Sequence, residues 1–214
     1  MPALDRLSFI APSWDEIHLQ VLKLAKVIRE SGFNPEIIVG IARGGWIVAR
    51  LLSDLLDIPD IASLRIEFYK GIAETSRSPV VTQPVSTSVR GKKVLIADDV
   101  SDTGSSLTAA VKHLIDEGAD EIRVATIHVK PWTTFVPDYY VSKTDAWIIY
   151  PWEPYETIKS LAHKWLEDGL QAEEIRTKLI EVGVRREFVE EFFPLIFKEG
   201  SDSGVELEVE LEVE

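Results

Sequence analysis

Three short apolar runs separated by amphipathic helical patterns constrain this chain more than any other feature. They are residues 36–41 (EIIVGI), 93–97 (KVLIA) and 121–129 (EIRVATIHV), with a further strand pattern near 62–68. Between them, residues 46–56 read as a helix. Residues 105–117 read as another, presenting Leu107, Val111, Leu114 and Ile115 on one side and stopping at Gly118. Apolar strands of this length, alternating with helices, must be buried on both faces. The expectation is therefore an α/β fold with a mainly parallel, twisted sheet flanked by helices. An opening helix is expected as well: Ser13 and Glu16 form a capping-box pattern, Ile17, Val21, Leu24 and Ile28 follow at helical spacing, and Gly32 ends it.

Sheets of this kind bind ligands at the carboxyl ends of their strands. Three places should therefore meet: the turn after Ile41, the loop after Ala97 and the residues after Val129. From Tyr155 the pattern changes to three helical repeats, Ile158/Leu161/Trp165, Ile175/Leu179 and Phe188/Val189/Phe192/Phe193/Ile196, divided by Gly169 and Gly183. The division expected is a main domain over 1–154, a helical appendage over 155–200 and an acidic tail over 201–214. The tail ends in VELEVELEVE and reads as an exposed strand, a disordered segment or a non-native addition.

Composition narrows the function. With 45% hydrophobic residues in 214, a sizeable core is available, and the absence of cysteine excludes disulfides and thiolate-bound metals. The net charge of −13, six charges of which fall in the tail, argues against a nucleic-acid binder. No apolar run approaches the ~18 residues of a membrane span, and no secretory leader is evident. A cytoplasmic protein without membrane or nucleic-acid partners is the expectation.

The chemistry is concentrated in residues 94–108, VLIADDVSDTGSSLT. A buried strand runs into adjacent carboxylates, Asp98 and Asp99. Asp102 follows, and then Thr103-Gly104-Ser105-Ser106 opens a helix. Small residues at a helix start leave backbone N–H groups and hydroxyls for an anion. Carboxylates beside such a cradle would repel a phosphate unless they hold hydroxyls or a cation. Vicinal ribose hydroxyls and Mg²⁺ satisfy both demands. A lone aspartate here would be read as a helix cap; the whole string is read as a sugar-phosphate site.

This string resembles the binding signature for 5-phosphoribosyl 1-pyrophosphate (PRPP) of the type I phosphoribosyltransferases. The resemblance implies that Asp98 and Asp99 hold the ribose hydroxyls, with Asp99 also near Mg²⁺. It implies that Thr103, Gly104, Ser105 and Ser106 bind the 5′-phosphate, and that Asp102 sits near N7 of the base as the acid/base residue. Arg43-Gly44-Gly45 resembles the family's pyrophosphate loop. Lys130-Pro131, Asp138-Tyr139-Tyr140-Val141 and Trp147-Ile148-Ile149-Tyr150-Pro151-Trp152-Glu153 resemble the base-binding region of the xanthine-guanine and hypoxanthine-guanine enzymes. There the lysine donates to the 6-oxo group, the tryptophan stacks on the purine, and the backbone near Ile148 and Glu153 reads position 2. A lysine donor suits a 6-oxo acceptor and rejects the 6-amino group of adenine.

The resemblance spans about residues 36–155. It departs from the family at Ala42 before Arg43, at Ser105-Ser106 and in the helices beyond Tyr155. It implies transfer of 5-phosphoribose from PRPP to guanine, hypoxanthine or xanthine in purine salvage, in a homo-oligomer of two or four copies. The alternatives are a PRPP-binding regulatory protein and a phosphoribosyltransferase for another base. Residues 69–88, weakly patterned, stand where the family carries a lid; an ordinary hairpin loop fits them equally, and Tyr69 or Lys70 would reach the phosphates if a lid closes.

Overall fold

The structure is a computed structural model that describes residues 8–70, 77–199 and 205–207. In chain order the elements are β1 (Phe9–Ile10), α1 (Trp14–Glu30), β2 (Ile37–Ala42), α2 (Gly44–Leu56), β3 (Ile61–Lys70), β4 (Arg77–Gln83), β5 (Lys93–Ser101) and α3 (Ser105–Asp116). After these come β6 (Glu121–Val129), β7 (Tyr139–Lys143), β8 (Trp147–Ile148), α4 (Pro154–Glu167), α5 (Ala172–Glu181), α6 (Arg186–Ile196), β9 (Phe197–Glu199) and β10 (Val205–Leu207). The chain divides into two compact units, one over residues 15–145 and one joining the first residues to those from 146 onward.

The larger unit is a six-stranded sheet in the order β4-β3-β2-β5-β6-β7. Every pairing is parallel except β3 with β4. Strand alternation sorts the core into two layers. Ile37, Val39 and Ile41 join Val94 and Ile96 in a cluster with Leu107, Ala110 and Leu114 of α3. Gly40 points the other way, where a Cβ would stand 2.9 Å from Cβ of Ala49 in α2. Helices α2 and α3 therefore cover opposite faces, as the strand-helix alternation predicts. Helix α1 lies beside α2, with Arg29 Nη1 donating to the Leu55 carbonyl at 2.7 Å.

This topology has a consequence for binding. From β2 the chain moves outward to β3 and β4, then returns to β5 on β2's other side. Strands β2 and β5 are neighbours whose following helices leave to opposite faces. The carboxyl ends of such a pair frame a crevice.

The helical unit packs Ile158, Leu161, Trp165, Ile175, Leu179, Val189 and Phe193 into one apolar cluster, each residue supplied by the predicted repeats. Trp165 is fully buried, with Lys178 Nζ 5.0 Å from its ring centroid. Gly169 and Gly183 both adopt positive φ, +90° and +106°, at the two turns they were expected to form. Phe9 and Ile10 pair in parallel with Trp147 and Ile148, and β10 pairs antiparallel with β9. No helix among the described residues is long and apolar enough to cross a membrane.

Three expectations are corrected. Strand β5 does not end at Ala97 but runs to Ser101, because Val100 and Ser101 keep pairing with His128 and Val129. Ile115 is 59% exposed while Ala110 is buried, so the inner stripe of α3 is narrower than its apolar residues suggest. Within 69–88 lies a regular strand, β4, hydrogen-bonded to β3; residues 71–76 fall outside those described.

Candidate active site

Both loops at the β2–β5 crevice are built from residues the sequence singles out. Strand β2 ends at Ala42, the Ala42–Arg43 peptide is cis, and α2 starts at once with Gly44 and Gly45. Its N-cap, Arg43, makes no side-chain capping bond, so the first-turn amides keep their capacity for an anion. The glycines are required by what lies opposite. A Cβ on Gly44 would fall onto the Asp99 carboxylate, and one on Gly45 would strike the Ala97 carbonyl, with Asp98 Oδ1 3.0 Å away. The predicted pyrophosphate turn and the predicted ribose carboxylates are thus in direct contact.

Asp98 is buried, and its Oδ1 accepts from the Asp99 amide at 3.0 Å. Burial holds its carboxyl well above the ordinary range, and the neighbouring charge of Asp99 adds to this; the amide bond opposes both. An anionic Asp98 would be favoured by a cation or by hydroxyl donors arriving with a ligand. Among the described residues no cluster of three or more His, Asp or Glu converges as a ready cage.

The phosphate cradle follows. Gly104 caps α3 at φ +86°, and it has no room for a side chain: a Cβ would lie 2.6 Å from both N and Cβ of Phe135. Thr103 Oγ1 donates to Ser105 Oγ at 3.1 Å and accepts from the Ser105 amide at 3.3 Å. Thr103, Ser105 and Ser106 therefore surround a helix start whose cap contributes no side chain.

Lys130 follows β6 and is only 8% exposed, its amide donating to the Ser101 carbonyl at 2.9 Å. Burial lowers the proton affinity of its ammonium, while the charges of Asp102 and Asp145 raise it. Asp102 is exposed, and its Oδ1 accepts from Trp132 Nε1 at 2.8 Å. Trp132 carries no role in the sequence reading. Its position directly after Lys-Pro was its only signal, since a loop residue has no periodicity to betray it. Asp138, noted as part of a motif, is structural: it accepts from the Val124 amide at 2.8 Å and pairs with Arg123.

The structure thus gathers Arg43, Gly44, Asp98, Asp99, Asp102–Ser106 and Lys130 onto one unit. Trp147, Ile148 and Glu153 belong to the other. Trp147 is 40% exposed on β8, Ile148 is buried, and Glu153 is the N-cap of α4, its carbonyl accepting from Thr157 N at 3.0 Å.

His128 supplies a pH prediction. It is 2% exposed, and burial, aided by the Lys130 charge, pushes its pKa down to about 4 from an ordinary 6.5. Above pH 6.5 it is neutral both folded and unfolded. As pH falls from 6.5 toward 4, the unfolded chain takes up a proton that the folded chain refuses, so stability declines, by up to about 3 kcal/mol. Urea unfolding of wild type and His128→Asn across this window should show the shallower slope in the variant; equal slopes would refute the assignment.

Residues 13–157 match the family model described as "Phosphoribosyl transferase domain". The chain belongs to this family. A xanthine-guanine phosphoribosyltransferase of Nitratidesulfovibrio vulgaris is 30% identical to this family member over 156 residues, 72% of this chain and 90% of that protein. A purine phosphoribosyltransferase from Pyrococcus horikoshii superposes with a TM-score of 0.61 at 40% identity, covering 67% of this chain and 93% of its own. A Neisseria gonorrhoeae protein solved with bound ppGpp gives a TM-score of 0.63 at 29% identity, over 69% of this chain and 90% of its own. The phosphoribosyltransferase match stops at residue 157, so most of α4 and all of α5 and α6 lie outside it.

Proposed function

We propose that this phosphoribosyltransferase transfers 5-phosphoribose from PRPP to a 6-oxopurine, giving the nucleoside monophosphate and pyrophosphate, with Mg²⁺ bound beside Asp99. The observation that carries the reading is the contact of the Gly44–Gly45 turn with Asp98 and Asp99, on the strand that leads into the Gly104 cap of α3. The proposed leaving-group turn thus touches the proposed sugar-binding carboxylates, and the proposed phosphate cradle follows them along the chain. The relatives named for xanthine-guanine and purine substrates support the base class. The ppGpp of the Neisseria protein is itself a guanine nucleotide.

In this reading Asp98 and Asp99 accept hydrogen bonds from the ribose hydroxyls; Asp99 would also hold Mg²⁺, which when bound would supply positive charge beside the pyrophosphate. Arg43 and the amides of Gly44 and Gly45 hold that leaving group, where preorganised donors act most strongly. Thr103, Ser105 and Ser106 take the 5′-phosphate. Asp102 accepts the N7 proton. Lys130 donates to the 6-oxo group, Trp147 stacks on the ring, and Ile148 and Glu153 bound position 2. Assembly into two or four copies and a cytoplasmic setting belong to the same proposal; exposed Leu19, Leu22 and Val27 on α1 offer apolar area for such contact.

Lys130 tests the base assignment. Lys130→Gln should lower kcat/KM for hypoxanthine, guanine and xanthine by about 100-fold, since the charged donor to the 6-oxo group is lost. The KM for PRPP should stay within a few-fold. An undiminished kcat/KM for all three bases would remove Lys130 from base recognition.

A further inference from the structure

Trp132 is 54% exposed, yet its two polar features are both engaged. The indole N–H donates to Asp102 Oδ1 at 2.8 Å, and the ring lies under the Lys130 ammonium, Nζ standing 5.5 Å from its centroid. One side chain therefore touches both the carboxylate assigned to the N7 proton and the lysine assigned to the 6-oxo group. Those two atoms lie on the same side of a purine.

The loop that carries the indole is fixed to the loop that carries Asp102. Thr134 donates to the Thr103 carbonyl twice, through its amide at 3.0 Å and its hydroxyl at 2.8 Å. Ser101 Oγ bonds Thr133 Oγ1 at 2.8 Å and donates to the Phe135 carbonyl at 2.7 Å. Gly104 presses on Phe135 with no room for a side chain. A surface tryptophan making an incidental bond would need no such mounting. Here the loop of the indole and the loop of the carboxylate are tied to each other on either side of the Trp132–Asp102 bond.

We infer that Trp132 is a positioning residue: its N–H holds the Asp102 carboxylate at one orientation, and its ring face holds Lys130, so that the two groups meet one purine edge together. The inference rests on the function proposed above for Asp102 and Lys130. A preoriented carboxylate needs no search for its geometry at the moment of proton transfer. A cation held on an aromatic face stays charged and ready to donate.

Two substitutions separate the two contacts. Trp132→Phe keeps a ring and removes the N–H; it should lower kcat by about tenfold, the worth of one hydrogen bond to a charged group, with KM for base and PRPP within twofold. Trp132→Leu removes both contacts and should also raise the KM for the base severalfold. In an Asp102→Asn background, Trp132→Phe should cost less than twofold, because the group through which it acts is already lost. Thermal unfolding of each variant checks that the loop is intact. An active wild type with kcat unchanged in Trp132→Phe, or with the full tenfold loss persisting beside Asp102→Asn, overturns this inference alone. A wild type that releases no pyrophosphate with any base overturns the proposed function and the inference with it.

Discussion

Exchanging Asp102 for asparagine should lower kcat by about two to four orders of magnitude, the range for loss of a positioned general base. The reason is specific to where Asp102 stands. It lies beyond the end of β5, exposed, one residue before the phosphate cradle, with its Oδ1 on the Trp132 indole. It has no part in the core, so the substitution should leave the melting temperature nearly unchanged. It is also separate from Asp98 and Asp99, so the KM for PRPP should move only a few-fold. Asparagine keeps the carbonyl that accepts from Trp132 but cannot take up a proton from N7. Steady-state kinetics at saturating PRPP give the answer. An unchanged kcat would take Asp102 out of the mechanism.

The glycine turn provides the second large effect, and it divides in an unusual way. Gly44→Ala places a Cβ against the carboxylate of Asp99, the far end of a side chain rather than backbone. The fold should survive, with a melting temperature within a few degrees of wild type. Activity should not: Asp99 would leave the position proposed for ribose and metal, and kcat/KM for PRPP should fall by about 100-fold or more. Gly45→Ala meets the Ala97 carbonyl instead, which is backbone inside the sheet. That clash has no flexible partner to relieve it, so it should cost about 1–3 kcal/mol of stability. Paired melting curves and PRPP kinetics distinguish the two variants. Full activity in Gly44→Ala would show that the turn and the acidic pair do not act together.

Much of the fold was legible because period and burial coincide in it. Ile37, Val39 and Ile41 on one side of β2, and Leu107 and Leu114 on α3, occupy the core positions that alternation and helical spacing assign. What escaped was settled by pairing. Asp98 to Ser101 extend β5 because β6 offers partners up to Val129, and no local pattern in DDVS announces a strand. Strand β4, with Pro79 and polar neighbours, forms because β3 offers it an edge; its sequence alone reads as a loop.

The site divides in a similar way. Asp98, Asp99 and residues 103–106 are nearly contiguous, so the chemistry proposed for them is suggested by the chain order alone. The contact of Gly44 with Asp99 joins residues 55 positions apart, and only the parallel pairing of β2 with β5 creates it. Trp132 has no signal in the sequence because its meaning comes from the Asp102 carboxylate, 30 positions away, to which its indole N–H donates. The resemblance implies that backbone reads position 2 of the base, and side-chain types say little about such a contact.

Pyrophosphate release from PRPP, measured with hypoxanthine, guanine, xanthine, adenine and orotate in turn, with Mg²⁺ and again after chelation, tests whether this chain is a 6-oxopurine phosphoribosyltransferase. Release is expected with at least one of the three 6-oxopurines, with little from adenine or orotate, and the reaction should be lost when the metal is removed. Release with none of the bases, or a preference for adenine or orotate over every 6-oxopurine, would contradict that assignment.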